Sequence, residues 1–245
     1  DYSGYSVASA GDVDGDGLSD LLIGAYENDD GGNNAGKSYL FLASSIASGG
    51  IFDLSAADAA FVGESAGDYS GYSVASAGDV DGDGLSDLLI GAQYNDEAGG
   101  AAGKSYLFFG SSIAAGGTFA LSAANASFVG ESADDQSGYS VASAGDVDGD
   151  GLSDLLIGAR YNDDGGNGAG KSYLFLGSSL GSDTDLSLGD SDYSFVGENI
   201  EDRASDGGIS LAGDVDGDGL DDLLISAMDN DDGGTHAGKA YLVFS

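Results

Sequence analysis

The sequence predicts an all-β protein, a β-propeller of four-stranded antiparallel blades built from four repeats of about 67 residues. Three observations carry this expectation. The string Gly-Asp-Val-Asp-Gly-Asp-Gly-Leu occurs at Gly11, Gly78, Gly145 and Gly213, at spacings of 67, 67 and 68 residues. Each repeat holds short β-prone stretches bounded by Gly, Asp, Asn and Ser. No segment sustains the 3.6-residue apolar period of a helix. Near-identical small sheets bury both faces by radial stacking, which favours a propeller over a sandwich.

The first repeat sets the elements. Tyr5–Ala10 reads as the first strand. Asp20–Ala25, an apolar Leu-Leu-Ile run between turn residues, reads as the second. Lys37–Leu42 alternates aromatic and apolar residues as the third, and Ala60–Gly63 supplies the fourth, after a possible helical turn over Leu54–Ala60. All four lysines (Lys37, Lys104, Lys171, Lys239) keep the same beat, and Phe61-Val62-Gly63-Glu64 recurs from Phe128 and from Phe195. One propeller over 1–245 is expected, with blades 1–67, 68–134, 135–202 and 203–245. In the last, Gly208-Ile209-Ser210-Leu211-Ala212 aligns with Gly4-Tyr5-Ser6-Val7-Ala8, with two residues missing before Gly213. Its outer strand is absent, so fifteen strands are expected and the final sheet keeps an unpaired edge, a feature proteins normally cover.

Composition narrows the function classes. The chain has 245 residues, 43 Asp+Glu against 6 Lys+Arg, a net charge of −37, and no Cys. Disulfides, thiolate metal sites and cysteine nucleophiles are excluded. Such a charge repels phosphate backbones and anionic lipid, so no nucleic-acid partner and no membrane insertion are expected. The 13 Tyr and 10 Phe are too many for a disordered acidic tail. The first residue is Asp1 and the one methionine is Met228, so the sequence does not open like a primary translation product.

The chemistry lies in the acidic loop. Asp12, Asp14, Asp16 and Asp20 occupy loop positions 1, 3, 5 and 9, and the carbonyl of Leu18 falls at position 7. Alternate aspartates between glycines turn hard oxygen ligands onto one point, which suits Ca²⁺ with its 6–8 oxygen ligands. The copies are Asp79, Asp81, Asp83, Leu85 and Asp87; Asp146, Asp148, Asp150, Leu152 and Asp154; Asp214, Asp216, Asp218, Leu220 and Asp222. About four Ca²⁺ ions, one per repeat, are expected. An EF-hand requires a bidentate Glu at position 12, where Ile23, Ile90, Ile157 and Ile225 stand. A nonapeptide β-roll period is likewise missing.

The pattern Gly-x-Ser-Val-Ala, then Asp-x-Asp-Gly-Asp-Gly-x-x-Asp-Leu-Leu-Ile-Gly-Ala, then an aromatic strand resembles the FG-GAP repeat of integrin α-subunit propellers and of many bacterial secreted proteins. The resemblance implies that the Ca²⁺ loop joins the two innermost strands of each blade, with the residues above as ligands. It departs where Phe-Gly becomes Ser3-Gly4, Ser70-Gly71 and Ser137-Gly138, and where Gly-Ala-Pro becomes Gly24-Ala25-Tyr26 and its copies. The family's propellers have seven blades, so four repeats do not imply a closed ring.

Up-and-down connectivity puts the 1–2 and 3–4 loops on one face and the 2–3 and 4–1 loops on the other. The second face carries acidic runs such as Glu27-Asn28-Asp29-Asp30, together with Glu64 and Asp68, and is the expected surface for a protein or glycan ligand. Each lysine is expected to bridge to its acidic loop. His236 has no second histidine to work with and no catalytic set breaks the repeat symmetry, so an enzyme is not expected. The expected role is a calcium-binding extracellular adhesion or ligand-binding module, secreted or on a bacterial cell surface. A structural subunit whose open blade edge is completed in trans, through self-association, is the first alternative. A non-catalytic domain of a larger secreted enzyme is the second.

Overall fold

The computed structural model describes residues 1–181 and 185–245. It is all-β, with four sheets placed side by side and no closed ring. In chain order the strands are β1 (Val7–Gly11), β2 (Asp20–Ala25), β3 (Lys37–Phe41), β4 (Ala59–Val62), β5 (Ser73–Gly78), β6 (Asp87–Ala92), β7 (Lys104–Phe108), β8 (Gly117–Ala120) and β9 (Ala126–Val129). They continue as β10 (Ser137–Gly145), β11 (Asp154–Ala159), β12 (Lys171–Phe175), β13 (Asp185–Ser187), β14 (Tyr193–Val196), β15 (Ala204–Gly213), β16 (Asp222–Ala227) and β17 (Lys239–Val243). Two four-residue helical turns, α1 (Ala43–Ile46) and α2 (Gly110–Ile113), follow β3 and β7.

Each sheet is an antiparallel meander, and the innermost strands β1, β5, β10 and β15 pack on one another in series. Backbones also meet closely between each second strand and the start of the next blade: a Cβ on Gly24 in β2 would run into the carbonyl oxygen of Gly71, and one on Gly91 in β6 into that of Gly138. Fifteen expected strands become seventeen because β8 and β13 lie inside the long 3–4 connections. Both leave their own repeat. β8 pairs parallel with β4 of the preceding repeat, and β13 with β9, so the first two sheets have five strands. An apolar residue on the added strand decides this: Phe119 stacks on Phe61 at 5.6 Å between ring centroids. The third sheet ends at β14 and the fourth at β17, with no such cap among the described residues.

The fourth repeat also differs from its expected alignment. Ile209 pairs with Ile225 as Val141 pairs with Ile157, while Ala204 pairs with Ala227 as Ser137 pairs with Ala159. One residue is therefore inserted between Ala204 and Ile209, rather than two being lost. Ser205 takes the place of Gly138 and keeps its left-handed conformation, φ +76° against +74°. The first strand starts at Val7 rather than Tyr5 and reaches Gly11 across a bulge, because Tyr5 belongs to the preceding turn.

The core lies between sheets. Leu22, Leu40 and Phe61 of the first face Val74, Ile90, Tyr106 and Phe108 of the second; Leu89, Leu107 and Phe128 face Leu155, Ile157 and Tyr173. A strand pleat sends neighbouring residues to opposite faces, so the Leu-Leu-Ile run buries both sides only where a sheet has two neighbours. Leu21 is 42% exposed while its copy Leu88 is fully buried. At the other end Leu224 is 40% exposed and its copy Leu89 is buried. Leu88→Ala is therefore expected to cost about 2–5 kcal/mol, and Leu21→Ala, in the same local sequence, under about 1 kcal/mol. Denaturant titration of the two variants checks this, and equal losses would contradict the stacking order.

Candidate functional site

The loop from β1 to β2 is held by its own carboxylates. Asp12 accepts from the N–H groups of Gly15 (2.8 Å) and Gly17 (2.9 Å), Asp14 from Asp16 (3.1 Å), and Asp16 from Leu18 (2.8 Å). Gly15 and Gly17 adopt φ of +79° and +85°, where a side chain would cost about 1–2 kcal/mol. The same bonds recur in the other three loops: Asp79 holds Gly82 and Gly84, Asp146 holds Gly149 and Gly151, and Asp214 holds Gly217 and Gly219. A carboxylate has about four lone-pair sites, so these bonds leave oxygens facing the loop centre.

Position 9 is different in kind. Asp20 is fully buried, and its oxygens accept from Val13 in the loop (2.9 Å) and from Ala43 at the start of α1 (2.8 Å). Asp87 joins Val80 to Gly110 and Asp154 joins Val147 to Gly177 in the same way. Asp222 accepts from Val215 and Ser245. These bonds confirm that the 1–2 and 3–4 connections share a face. Burial pushes the Asp87 carboxyl up to about 7 and that of Asp154 to about 6, against the pull of the N–H donors. Burial raises Asp20 and Asp81 as well.

One oxygen each of Asp12, Asp14 and Asp20 lies within 4.8 Å of the others, as do those of Asp79, Asp81 and Asp87 and of Asp146, Asp148 and Asp154. In the fourth loop the group is Asp214, Asp216 and Asp218, with Asp222 outside it. Asp16, Asp83 and Asp150 fall outside the first three groups and accept from Leu18, Leu85 and Leu152; Leu220 likewise donates to Asp218. An all-oxygen acidic set suits a hard divalent cation and disfavours zinc or copper. The clusters in each repeat can hold a metal. Successive loops are also wired together: Ser86 N–H donates to the Asp12 carbonyl, Ser153 to Asp79 and Asp221 to Asp146.

The opposite face is more neutralised than its sequence suggests. Every lysine meets the acid seven residues before it: Lys37–Asp30, Lys104–Glu97 and Lys171–Asp164 at 2.7 Å, and Lys239–Asp232 at 2.9 Å. The glutamate of each preceding repeat joins in. Glu131 binds Lys171 (2.9 Å) and the Tyr173 hydroxyl (2.6 Å), while Glu64 and Glu198 do the same for Tyr106 and Lys239. The amides of Asn95, Asn162 and Asn230 donate to Asp68, Asp135 and Asp202, tying the 2–3 to the 4–1 loops. His236 is exposed and lies 3.2 Å from Asp229.

Sequence reasoning missed the aromatic surface here. Tyr5, Tyr72 and Tyr139 form a hydroxyl chain at 2.8 and 3.3 Å; Tyr26 meets Tyr72 and Tyr69 meets Tyr94 edge to face, and Tyr26 lies tilted against Tyr69. The signal was present as tyrosines recurring every 67 residues in the 4–1 turn. The Arg160 guanidinium lies 3.9 Å from the Tyr139 ring centroid and 4.5 Å from that of Tyr161.

Burial, with Glu131, Asp163 and Asp164 nearby, pushes the Asp135 carboxyl up to about 6 although Asn162 opposes it. A raised carboxyl favours the protonated fold, so its stabilising contribution is complete below about pH 4 and lost as pH rises through 6. Asp135→Asn is expected to raise stability by about 1 kcal/mol at pH 8, water screening having reduced the full linkage value, and by almost nothing at pH 4. Urea midpoints at the two pH values test it; an equal change at both would refute the assignment.

With this geometry in view, comparison with known proteins is direct. The FG-GAP repeat matches four times, over residues 3–41, 70–108, 137–175 and 207–243. Integrin alpha-PS2 of Drosophila melanogaster is 32% identical over 94% of this chain, and integrin alpha-5 of Xenopus laevis is 33% identical over 64%. Integrin alpha-PS5 of Drosophila melanogaster is 31% identical over 68%. The chain spans only 15–16% of the length of these relatives. Four matched repeats, each enclosing one aspartate loop between two inner strands, make this chain a member of the FG-GAP repeat family.

Proposed function

We propose that residues 1–245 act as one calcium-stabilised propeller module outside the cell, binding an extracellular protein or glycan on the face formed by the 2–3 and 4–1 loops. The single observation behind the calcium assignment is the fourfold gathering of three aspartate oxygens within 4.8 Å. Two like charges 4 Å apart repel by about 1 kcal/mol in water and about 4 kcal/mol at an effective dielectric of 20. Ca²⁺ bound in each loop supplies the opposite charge and fastens the two innermost strands. In the first three loops the proposed ligands include position 9, a residue already bonded to the 3–4 segment, so a loop's order passes into its blade; in the fourth, Asp222 lies outside the gathered group. The gathered groups supply positions 1, 3 and 9 in the first three loops and positions 1, 3 and 5 in the fourth; the remaining aspartate and the leucine carbonyl of each loop complete the set in this reading. Membership of the FG-GAP repeat family, the likeness to integrin alpha subunits and the aromatic loop face support binding rather than catalysis. No described helix is long and apolar enough to cross a membrane.

Removal of calcium tests this. A site filled to about 100 times its Kd adds about 2.7 kcal/mol, so four sites together are expected to lower the melting temperature by roughly 20 °C when emptied. Calorimetry before and after exhaustive EGTA treatment measures it, and an unchanged transition refutes the metal assignment. The double variant Asp79→Asn/Asp81→Asn is expected to reduce the bound calcium by one ion per chain.

One observation favours a second reading, an assembly subunit. Among the described residues β4 and β9 carry the added strands β8 and β13 and β14 carries none, and a cavity of about 240 Å³ lined by Tyr193, Phe195 and Val243 lies beside it. Sheet edges of this kind accept a further strand. Concentration-dependent assembly in calcium, followed by light scattering, is the expected result; a monomer at all concentrations ends that reading.

A further inference from the structure

The repeats are near-copies, yet they differ where the 2–3 and 4–1 loops of neighbouring blades meet. Position 26 of the first repeat is Tyr26, and its copies are Gln93, Arg160 and Met228; Tyr69 is followed by Gln136 and Arg203. Both arginines of the chain therefore stand at these two positions. A site that must be chemically distinct has to break the repeat, and this is where the repeat breaks.

At that place, between the first three blades, lies a cavity of about 550 Å³. Its walls include the half-buried rings of Tyr26, Tyr69, Tyr72 and Tyr94, with Gln93 and Asp96 beside them. Gln93 is only 2% exposed and its Oε1 has no hydrogen-bond partner. A buried amide oxygen left unpaired costs about 1–3 kcal/mol, so a ligand donor that displaces the cavity wall enough to reach it gains that bond. Arg160 also borders the cavity, its Nε and a terminal nitrogen donating to Gln136 Oε1 at 2.9 and 2.7 Å.

The ligand class follows from these groups. Asp96 and Arg160 bring opposite charges, so the lining is close to neutral. A cation would meet the guanidinium, and an anion would approach a molecule of net charge −37. Ring faces offer stacking to a flat apolar surface, while Gln93 Oε1 and the Asp96 carboxylate are pure acceptors. A pyranose has that duality: C–H faces to lie on tyrosine rings and hydroxyls at its edge to donate. The volume lies in the ordinary range for a small-ligand pocket and accommodates one or two sugar rings. We propose that this groove is a carbohydrate site taking a neutral oligosaccharide, with Tyr26, Tyr69 and Tyr94 as the stacking platform and Gln93 and Asp96 as hydroxyl acceptors.

This rests on the reading that the 2–3/4–1 face is the ligand face, and the test separates the two. The calcium-loaded chain is titrated with cellotriose, maltotriose, xylotriose, mannotriose and chitotriose to about 10 mM, following tyrosine fluorescence and amide chemical shifts. The expected result is binding of at least one sugar below about 1 mM, shifts confined to the groove, and roughly tenfold or greater loss in Tyr94→Ala and in Asp96→Asn, each with wild-type melting. Asp96 is exposed, so its variant keeps the test valid if Tyr94→Ala fails to fold. No binding of any sugar overturns the carbohydrate assignment alone. Saturable binding of an oligo-arginine peptide in the groove, in place of sugar, also overturns it while preserving the ligand face. Sugar binding mapped to the calcium-loop face would overturn both.

Discussion

One buried aspartate per repeat holds this architecture together. Asp20, Asp87, Asp154 and Asp222 begin the second strand of each sheet, are fully buried, and accept backbone N–H bonds from the acidic loop on one side and from the 3–4 segment on the other. Neither connection has a regular ladder partner there, so the side chain stands in for one. Because an ionised carboxylate is costly in such a place, burial and backbone bonding pull in opposite directions, and burial wins at Asp87 and Asp154. In the first three loops this aspartate joins a group of three carboxylates that could hold a divalent cation, which would favour the ionised form and offset the two neighbouring charges.

From that constraint the two faces acquire different work. The loop face is tiled with four copies of one unit, and carbonyl-to-amide bonds chain each copy to the next. Variation there would disturb the chain of loops. The opposite face uses lysine, glutamate and asparagine pairs to close each blade on its neighbour, and leaves the residues after β2, β6, β11 and β16 free to differ.

Much of this was legible beforehand. The repeat, the antiparallel order, the bounds of β2 and the position of every acidic loop could be read from spacing and turn chemistry. So could the lysine bridges, since a seven-residue interval places Lys37 opposite Asp30 across a hairpin. Short-range patterns of that kind are set by local geometry. β8 and β13 were not legible, because their partner strands belong to another repeat and their sequences carry only one aromatic or leucine as a cue. The alignment of the fourth repeat failed for a related reason: Ser205 replaces a glycine, and only strand register reveals that it keeps the glycine's backbone.

By itself the amino-acid sequence determined the unit: four like modules, each with an aspartate loop whose glycines allow carboxylates to converge. It could not say what each copy would experience. Asp-Leu-Leu-Ile-Gly-Ala is identical in β2, β6 and β11, yet every residue of it is buried in the two middle sheets while Leu21 is open in the first. Burial depends on how many sheets flank a strand. That is a property of position in the stack, which identical residues cannot encode. The tyrosine groove has the same origin, for its walls come from three repeats and exist only once those repeats are packed side by side.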